Sequence, residues 1–465
     1  MMTETIAEMV MPGTYIEVRA EGLIGAGAIA TGNIGVVGTA ARGAPNTVRS
    51  LGSYSDARDM FGAYDTYAKN GNAPPPLSLV RTLEQVFIGG GQNVFAVRIA
   101  NGDPATASAQ VKAATGTGNA FTLNAIEPGS WANGVKYAVT QDDGDTSPFK
   151  LTLTGPRSKE TYVGVDAAEL ANALAGSRLV TVSGKASAGT KLKIAEGTID
   201  GGTDGANVTS KEIQAGLAAL ESWPVNIVLV AGVGADTALA SLQSHLEQTQ
   251  DEGRERIAIL GAPSSDPAQL AANMPSDGRI VFVAPGLRVT DTDGQTRALP
   301  PAYTAALVAG RLSTIAPQVS LTNKTLPVED LDDDKFTSTA YQTLLQKNVL
   351  LVRRKFGFQI VKGITTDTGA FKQISVRRIV DFAKAGVRAG ADAYIGRLNN
   401  VRVRAALKAT LDGFLSQMVL DEMLVGYTLD VSATREQEVN GICTVTMTLL
   451  PTFSIDYIRV TINVQ

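Results

Sequence analysis

The 465-residue chain holds one histidine, His245, and one cysteine, Cys443, and these set the limits on its side-chain chemistry. Acyl transfer through a serine triad needs a base, so His245 would have to serve. It lies in "LASLQSHLEQTQ", whose spacing predicts a surface helix, and no G-x-S-x-G elbow exists to meet it. One His with one Cys cannot supply a conventional zinc site. A lone cysteine cannot close an intrachain disulfide, which suits a reducing cytoplasm. "GAGAIA" from Gly25 matches the dinucleotide pattern G-x-G-x-x-A, but it precedes "TGNIGVVG", a loop and a strand, where pyrophosphate binding needs a helix N-terminus. A flexible Gly/Ala link is the better account. "SGKAS" lacks the spacing and hydroxyl of a phosphate loop. "DGGTDG" from Asp200 and "TDTDG" from Thr290 lack the distal Glu of a calcium loop and read as turns. The "DLDDDKF" run from Asp330 has no fixed ligand spacing and reads as a solvated linker. The expectation is a chain without catalytic residues, metal or cofactor.

One charge signal survives. Between residues 377 and 408 stand Arg377, Arg378, Lys384, Arg388, Arg397, Arg402, Arg404 and Lys408 against Asp381 and Asp392, an asymmetry that points to one basic docking face, with an ordinary solvated helix surface as the alternative. The whole chain, with Lys+Arg 41 against Asp+Glu 45 and a net charge of -4, has no general basic field for nucleic acid or an anionic membrane. "MMTETIAEMVMPG" has neither a basic n-region nor an apolar h-region, so no signal peptide is expected. The most apolar run, "VNIVLVAGVG" from Val225, is too short to span a bilayer.

The elements that would carry these residues fall into blocks. "PGTYIEVRAEG" from Pro12 alternates as a terminal strand. "IGVVGTA" from Ile34, "SYSDARDMFG" with Ser53 as N-cap and Gly62 as stop, "LSLVRTLEQVFIGGG" and "NVFAVRIA" make a strand, helix, strand unit. From about 101 to 205 the texture turns to Thr, Gly, Ala and Asp with short strands, an inserted β-rich domain. Buried apolar strands alternating with helices then return, so two pieces of α/β share one mainly parallel, helix-covered sheet. A last domain begins near "VLLVRRKFGFQIVKGITTD", with the helix "NNVRVRAALKATLDGFLSQMV" lined by Val403, Leu407, Leu411, Phe414, Leu415 and Met418. At the end "IRVTINVQ" sets Ile458, Val460, Ile462 and Val464 on one face at period two. That strand needs a ladder in its own domain or on another molecule. The expected fold is therefore α/β and α+β multidomain: N-terminal arm 1–20, core α/β domain 21–100 and 206–345, insert 101–205, C-terminal α+β domain 346–450 and C-terminal arm 451–465.

Several stretches in order resemble the tail sheath proteins of contractile phage tails and related injection systems: "MPGTYIEV", "VVGTAARGAPNTVRSLGSYSDARDMFG", "FIGGGQNVFAVRIA", "EPGSWANGVKYAV", "IDGGTDGANVT", "IVKGITT" and "RRIVDFAKAGVRAGADAYIGRLNN". Positions 265 to 340 fit the pattern only loosely. The resemblance implies a structural, non-enzymatic protein of the virion tail, assembled in the bacterial cytoplasm. Its partners would be further copies of itself in stacked hexameric rings, an inner tail tube, and baseplate and tail terminator proteins, with no nucleic acid and no membrane insertion. It also implies that the strands of Tyr15, Ile16 and Val18 and of Ile458, Val460, Ile462 and Val464 join a neighbouring copy's sheet. Arg377, Arg378, Arg388, Arg402, Arg404 and Lys408 are then the expected docking residues for the tube or a neighbour. Two other classes stay open at this point: an α/β hydrolase or nucleotide-binding enzyme, and a non-contractile structural or adhesion protein.

Overall fold

The computed structural model describes residues 29–65, 76–115, 118–142, 147–184, 187–263 and 275–464. They fall into two compact units, one of Gly32–Ile315 with Thr322–Thr366, the other holding Ala316–Leu321 and Asp367–Gln465. Elements are numbered in chain order.

The larger unit is built on one nine-stranded sheet. It contains β1 (Ile34–Gly38), β2 (Val48–Leu51), β3 (Val94–Arg98), β11 (Ile227–Val230), β12 (Ile257–Gly261), β13 (Ile280–Ala284), β16 (Thr325–Leu326), β18 (Leu350–Arg354) and β19 (Phe358–Ile360), in the order β16-β19-β18-β13-β12-β11-β1-β3-β2. The middle is parallel: Ile34 lies opposite both Val94 and Ile227, so β1 joins the two sequence-distant pieces. β1, β11, β12 and β13 are buried along their whole length, which is why they read as continuous apolar runs rather than alternating ones. On one face Val37, Val228 and Phe282 pack with residues of α4 (Ser210–Ala219), α5 (Ala235–Asp251) and α7 (Ser338–Gln346). The helix before β3, α2 (Leu79–Ile88), lies against α6 (Pro301–Ser313), whose small residues from Ala302 to Gly310 are all buried. α1 (Tyr54–Phe61) starts at Ser53 in a capping box with Asp56 and stops at Gly62, as its sequence expected.

Two boundaries differ from the sequence reading. Residues 350–360, expected to open the last domain, extend the large sheet, because β18 pairs in parallel with β13 and β19 folds back on it. The "DLDDDKF" run is not a linker. Asp330–Asp332 forms β17, paired with β14 (Gly286–Thr290), which also pairs with β15 (Thr296–Leu299). Leu331 is fully buried there while Asp332 and Asp334 bind Arg288 and Asp330 binds Arg354. Alternation of one leucine among aspartates is a strand pattern that the charge density concealed.

The insert is a two-sheet sandwich with β4 (Ser108–Lys112), β5 (Asn119–Ala125) and β9 (Val180–Ser183) in one sheet. The other holds β10 (Ala195–Ile199), β6 (Val135–Gln141), β7 (Phe149–Thr154) and β8 (Lys159–Gly164). Phe121, Leu123, Phe149, Leu151, Leu170 of α3 (Ala167–Ala173) and Ile199 fill it. Its two connections to the core meet at one fully buried cation. Arg98, at the end of β3, donates through Nη1 to the carbonyls of Gly43 (2.6 Å) and Pro128 (2.7 Å) and through Nη2 to that of Asp204 (3.0 Å). The Asp204 carboxylate in turn accepts from the backbone N–H and hydroxyl of Ser130, both at 2.6 Å. Asn133 and Gly202 exchange two hydrogen bonds of 2.9 Å across the same junction. Gly129 sits there with φ +127, and a Cβ on it would collide with the carbonyl oxygen of Ala41. The Pro-Gly and Gly-Gly motifs that flank the insert are thus explained by close backbone approach around Arg98.

The smaller unit packs α8 (Ile374–Asp392) and α9 (Val401–Leu420) beneath a two-stranded ribbon of β20 (Leu424–Ser432) and β21 (Thr444–Pro451), with a short α10 (Arg435–Val439) between the strands. Ile379, Ala383, Leu415, Met418, Met423 and Leu424 form its core. At the helix crossing a Cβ on Gly386 would fall inside the Phe414 ring, so this position needs a residue without a side chain. Of the six residues expected to line α9, Leu407, Leu411, Leu415 and Met418 are buried and Val403 and Phe414 are half-buried.

Gly129→Ala combines a left-handed backbone with a clash against a fixed carbonyl. It is expected to destabilise the larger unit by roughly 3 kcal/mol or more, read as a lower denaturant midpoint, whereas Gly294→Ala, with open space around it, should lose only about 1 kcal/mol.

Candidate assembly surface

His245 is not on a surface. It is 4% exposed on the inner side of α5, where Arg256 Nη1 donates to Nε2 at 2.7 Å, which requires that nitrogen to be unprotonated. Burial first, and then the neighbouring Arg256 charge, pull its pKa down to about 4. Arg256 also donates to the carbonyls of Leu220, Glu221 and Trp223 at 2.8 to 2.9 Å, closing the C-terminal end of α4, where orphan carbonyls and the helix dipole favour a cation. The pair has no serine or carboxylate arranged for acyl transfer and serves to cap a helix. Most of "GAGAIA" lies outside the described residues. Asp291, in the second calcium-like turn, is buried in an ion pair with Arg81 at 3.1 Å. Among the described residues no group of three His, Cys, Asp or Glu could hold a metal, and no helix is long and apolar enough to cross a membrane.

What the smaller unit offers instead is an incomplete sheet. Tyr427, Leu429 and Leu449 of the ribbon face the helices, while Thr428, Asp430, Thr446 and Thr448 face outward. Among the described residues no strand pairs with the outer edge of either β20 or β21. An isolated two-stranded ribbon is marginal in water, and its free N–H and C=O rows are a template for another strand. Directly after it, residues 452–464 form no helix or strand. The first part is tied down: Thr452 N–H donates to the carbonyl of Met423 (3.0 Å) and Ser454 N–H to Gln373 Oε1 (3.1 Å). Beyond Tyr457 the chain stands clear of the unit. Ile458, Val460, Ile462 and Val464 are 73% to 92% exposed, so the period-two face read from sequence is unburied in the single chain. Phe453, Ile455 and Tyr457 are also exposed. Their alternation is visible in the sequence, but it runs in the opposite phase to Ile458 and was missed. Tyr15, Ile16 and Val18 lie outside the described residues.

The six expected docking cations do not share one face. Arg377 and Arg378 are buried, at 7% and 6% exposure. Arg377 pairs with Asp381 at 2.6 Å and stacks on Phe371 at 4.0 Å. Arg378 donates to the carbonyls of Ala316 (3.3 Å) and Thr31 (3.2 Å), and burial lowers its pKa to about 10. Arg404 is half-buried against Glu438 (2.9 Å) and Asn399; hydrogen bonds from Arg435 and Arg404 hold the Glu438 carboxyl below its usual range. Arg388, Arg402 and Lys408 are exposed, with Lys408 at 3.9 Å from Asp430. Net charge along the sequence does not separate cations that satisfy buried carbonyls from cations that face water. The sequence reading also missed Ile395, Leu398, Val401, Val439 and Ile442, which are exposed.

A central parallel sheet, an inserted sandwich and a helix-backed ribbon with an unburied terminal segment define a multidomain α/β and α+β protein. Residues 206–366 match the phage tail sheath protein central domain and residues 366–465 the phage tail sheath C-terminal domain. Together these cover more than half of the chain, which belongs to the phage tail sheath family. The chain is 23% identical over 211 residues to the tail sheath protein of Bacillus phage SP01, an alignment covering 43% of this chain and 37% of that one; it therefore spans little more than a third of that relative's length. Its fold is similar to that of the sheath tail protein of Desulfitobacterium hafniense, at 17% identity and TM-score 0.66 over 95% of this chain and 100% of that chain. It is also similar to the helical sheath of the anti-feeding prophage in its contracted state, at 13% identity and TM-score 0.59 over 97% of this chain and 98% of that chain. The family read from the ordered sequence stretches is the family found.

The histidine supplies a pH test. The unfolded chain protonates this imidazole below about 6.5 and the folded chain only near 4, so in that window the unfolded state binds more protons and stability falls as pH drops. The loss should approach roughly 2–3 kcal/mol by pH 4. His245→Gln, which keeps an acceptor for Arg256, should flatten this part of the stability–pH curve measured by denaturant titration.

Proposed function

We propose that the chain is a structural tail sheath subunit that polymerises into stacked hexameric rings around an inner tail tube. Contraction of that sheath would drive the tube through the host envelope. The observation that carries this reading is the match between an unpaired ribbon and an unpaired apolar segment on the same unit. A ribbon whose outer edges carry no further strand among the described residues and an apolar segment with no ladder complete one another when the segment of one copy lies on the ribbon of another. The anti-feeding prophage sheath, in the contracted state, shares the fold and supports taking the assembly to be of this kind.

The energetics agree with a monomer that waits for company. Burying Ile458, Val460, Ile462 and Val464 yields about 1.5–3 kcal/mol each, while ordering their segment costs about 1–2 kcal/mol per residue. The two nearly cancel for a lone segment. Ladder hydrogen bonds and repetition through a lattice then decide the balance, so ordering and assembly occur together. Rings joined in this way stay connected while compact bodies rotate and repack, and the work comes from better contacts in the shortened state. In this reading the protein is not an enzyme, acts in the virion tail after assembly in the bacterial host cytoplasm, and meets baseplate and tail terminator proteins at the ends of the sheath. The N-terminal strand of Tyr15, Ile16 and Val18 joins the same augmented sheet. Of the basic residues, the exposed Arg388, Arg402 and Lys408 are the ones this reading assigns to the tube or a neighbour.

Electron microscopy of the purified chain with its tube tests this. The wild type should form cylinders of two lengths, and removal of residues 458–465, or Val460→Asp, should leave monomers that keep their helical signal and build none. Full-length shortening cylinders from the truncated chain would remove the arm mechanism, and cylinders of a single length under every condition would leave a non-contractile structural protein. Arg402→Glu should reduce assembly around the tube several-fold; Arg404→Glu is the poorer probe because it also breaks the contact with Glu438.

A further inference from the structure

Gln373 occupies the N-cap position of α8 but makes no cap hydrogen bond with its side chain. Both ends of its amide serve the C-terminal segment. Ser454 N–H donates to Oε1 at 3.1 Å, and Nε2 donates to the Ser454 carbonyl at 3.4 Å and to the Asp456 carboxylate at 3.3 Å. One side chain thus satisfies both backbone groups of Ser454, as a neighbouring strand would. Asp456 lies beside the N-terminus of a 19-residue helix, where negative charge is favoured. One turn further on, buried Arg378 holds the carbonyls of Thr31 and Ala316. Thr31 is where the chain enters from the N-terminal segment.

We propose that residues 373–378 are a shared anchorage for the roots of both arms. Gln373 sets the pivot of the C-terminal arm at Asp456, leaving only the residues beyond it to swing, and Arg378 fixes the root of the N-terminal segment. A pull on either arm is delivered to the first two turns of α8, which carry it into the helical core through Ile379 and Ala383. This rests on the arm-exchange reading above and names the residues through which exchanged arms grip the body.

The test uses the full chain. In Gln373→Ala, and in Ser454→Pro, which removes the Ser454 N–H donor from an irregular segment outside the helices, the helical signal and thermal midpoint should match wild type. In Gln373→Ala, hydrogen exchange of the Ser454 amide should rise about tenfold, the scale of one hydrogen bond, and in both variants cylinder formation should slow several-fold. Arg378→Lys should raise exchange at 316–321. Combined with Gln373→Ala it should slow assembly by less than the product of the single effects, because both loosen the N-terminal end of α8. Wild-type exchange of the Ser454 amide in Gln373→Ala and wild-type assembly in both variants, with the truncated chain still unable to assemble, would overturn the anchorage and leave arm exchange standing. A truncated chain that assembles removes both. If Gln373→Ala fails to fold, Ser454→Pro decides the same bond, and strictly multiplicative effects would separate the two anchors and end the shared one.

Discussion

The constraint on which the smaller unit depends is that a backbone N–H or C=O must find a partner. Within β20 and β21 each strand satisfies the other, and their outer rows remain for something else. The segment after Tyr457 has the complementary problem: it has apolar side chains to bury and no ladder of its own. Neither deficiency is relieved inside the described chain. Two matching deficiencies on one unit are what the proposed strand exchange between copies would relieve.

In the larger unit buried carbonyls are met from within. Arg98 has no exposed surface and donates to three carbonyls: that of Gly43 in the core, that of Pro128 in the insert and that of Asp204 where the chain returns to the core. Burial lowers its pKa, and the nearby Asp204 and Glu127 charges oppose that shift. The same principle recurs at Arg256 and Arg378: a guanidinium replaces water around carbonyls that the fold would otherwise strand. Breaking such a contact leaves several buried acceptors empty at once, so these arginines fix geometry far more than a surface ion pair would. The insert is therefore held in one posture on the core at its two connections.

The parts of the fold legible in the sequence were those with a single dominant pattern. β1, β11, β12 and β13 announce themselves as unbroken apolar runs, α1 by its capping box, and the insert by its change of texture. What stayed hidden was set by tertiary context. β18 has the same composition as a strand opening a new domain, and only its pairing with β13 assigns it to the large sheet. Leu331 among aspartates looked like a charged linker until β14 lay beside it. His245 was placed on a surface because helical periodicity does not say which face a polar residue takes when an arginine from another strand is waiting for it. Of the candidate surface, the apolar alternation of the terminal segment was legible from residue 458 onward, but the burial of Arg377 and Arg378 was not, since nothing in their neighbourhood reveals carbonyls at Thr31 and Ala316.

The pairing of Ile34 with Ile227 has a bearing on how the subunit is made. During synthesis β1 and β3 leave the ribosome long before β11, and in the interval the sandwich between them is completed. A sandwich that folds first draws residues 101 and 205 together, converting a very long loop closure into a short one. The insert then acts as a built-in splint for its own host domain.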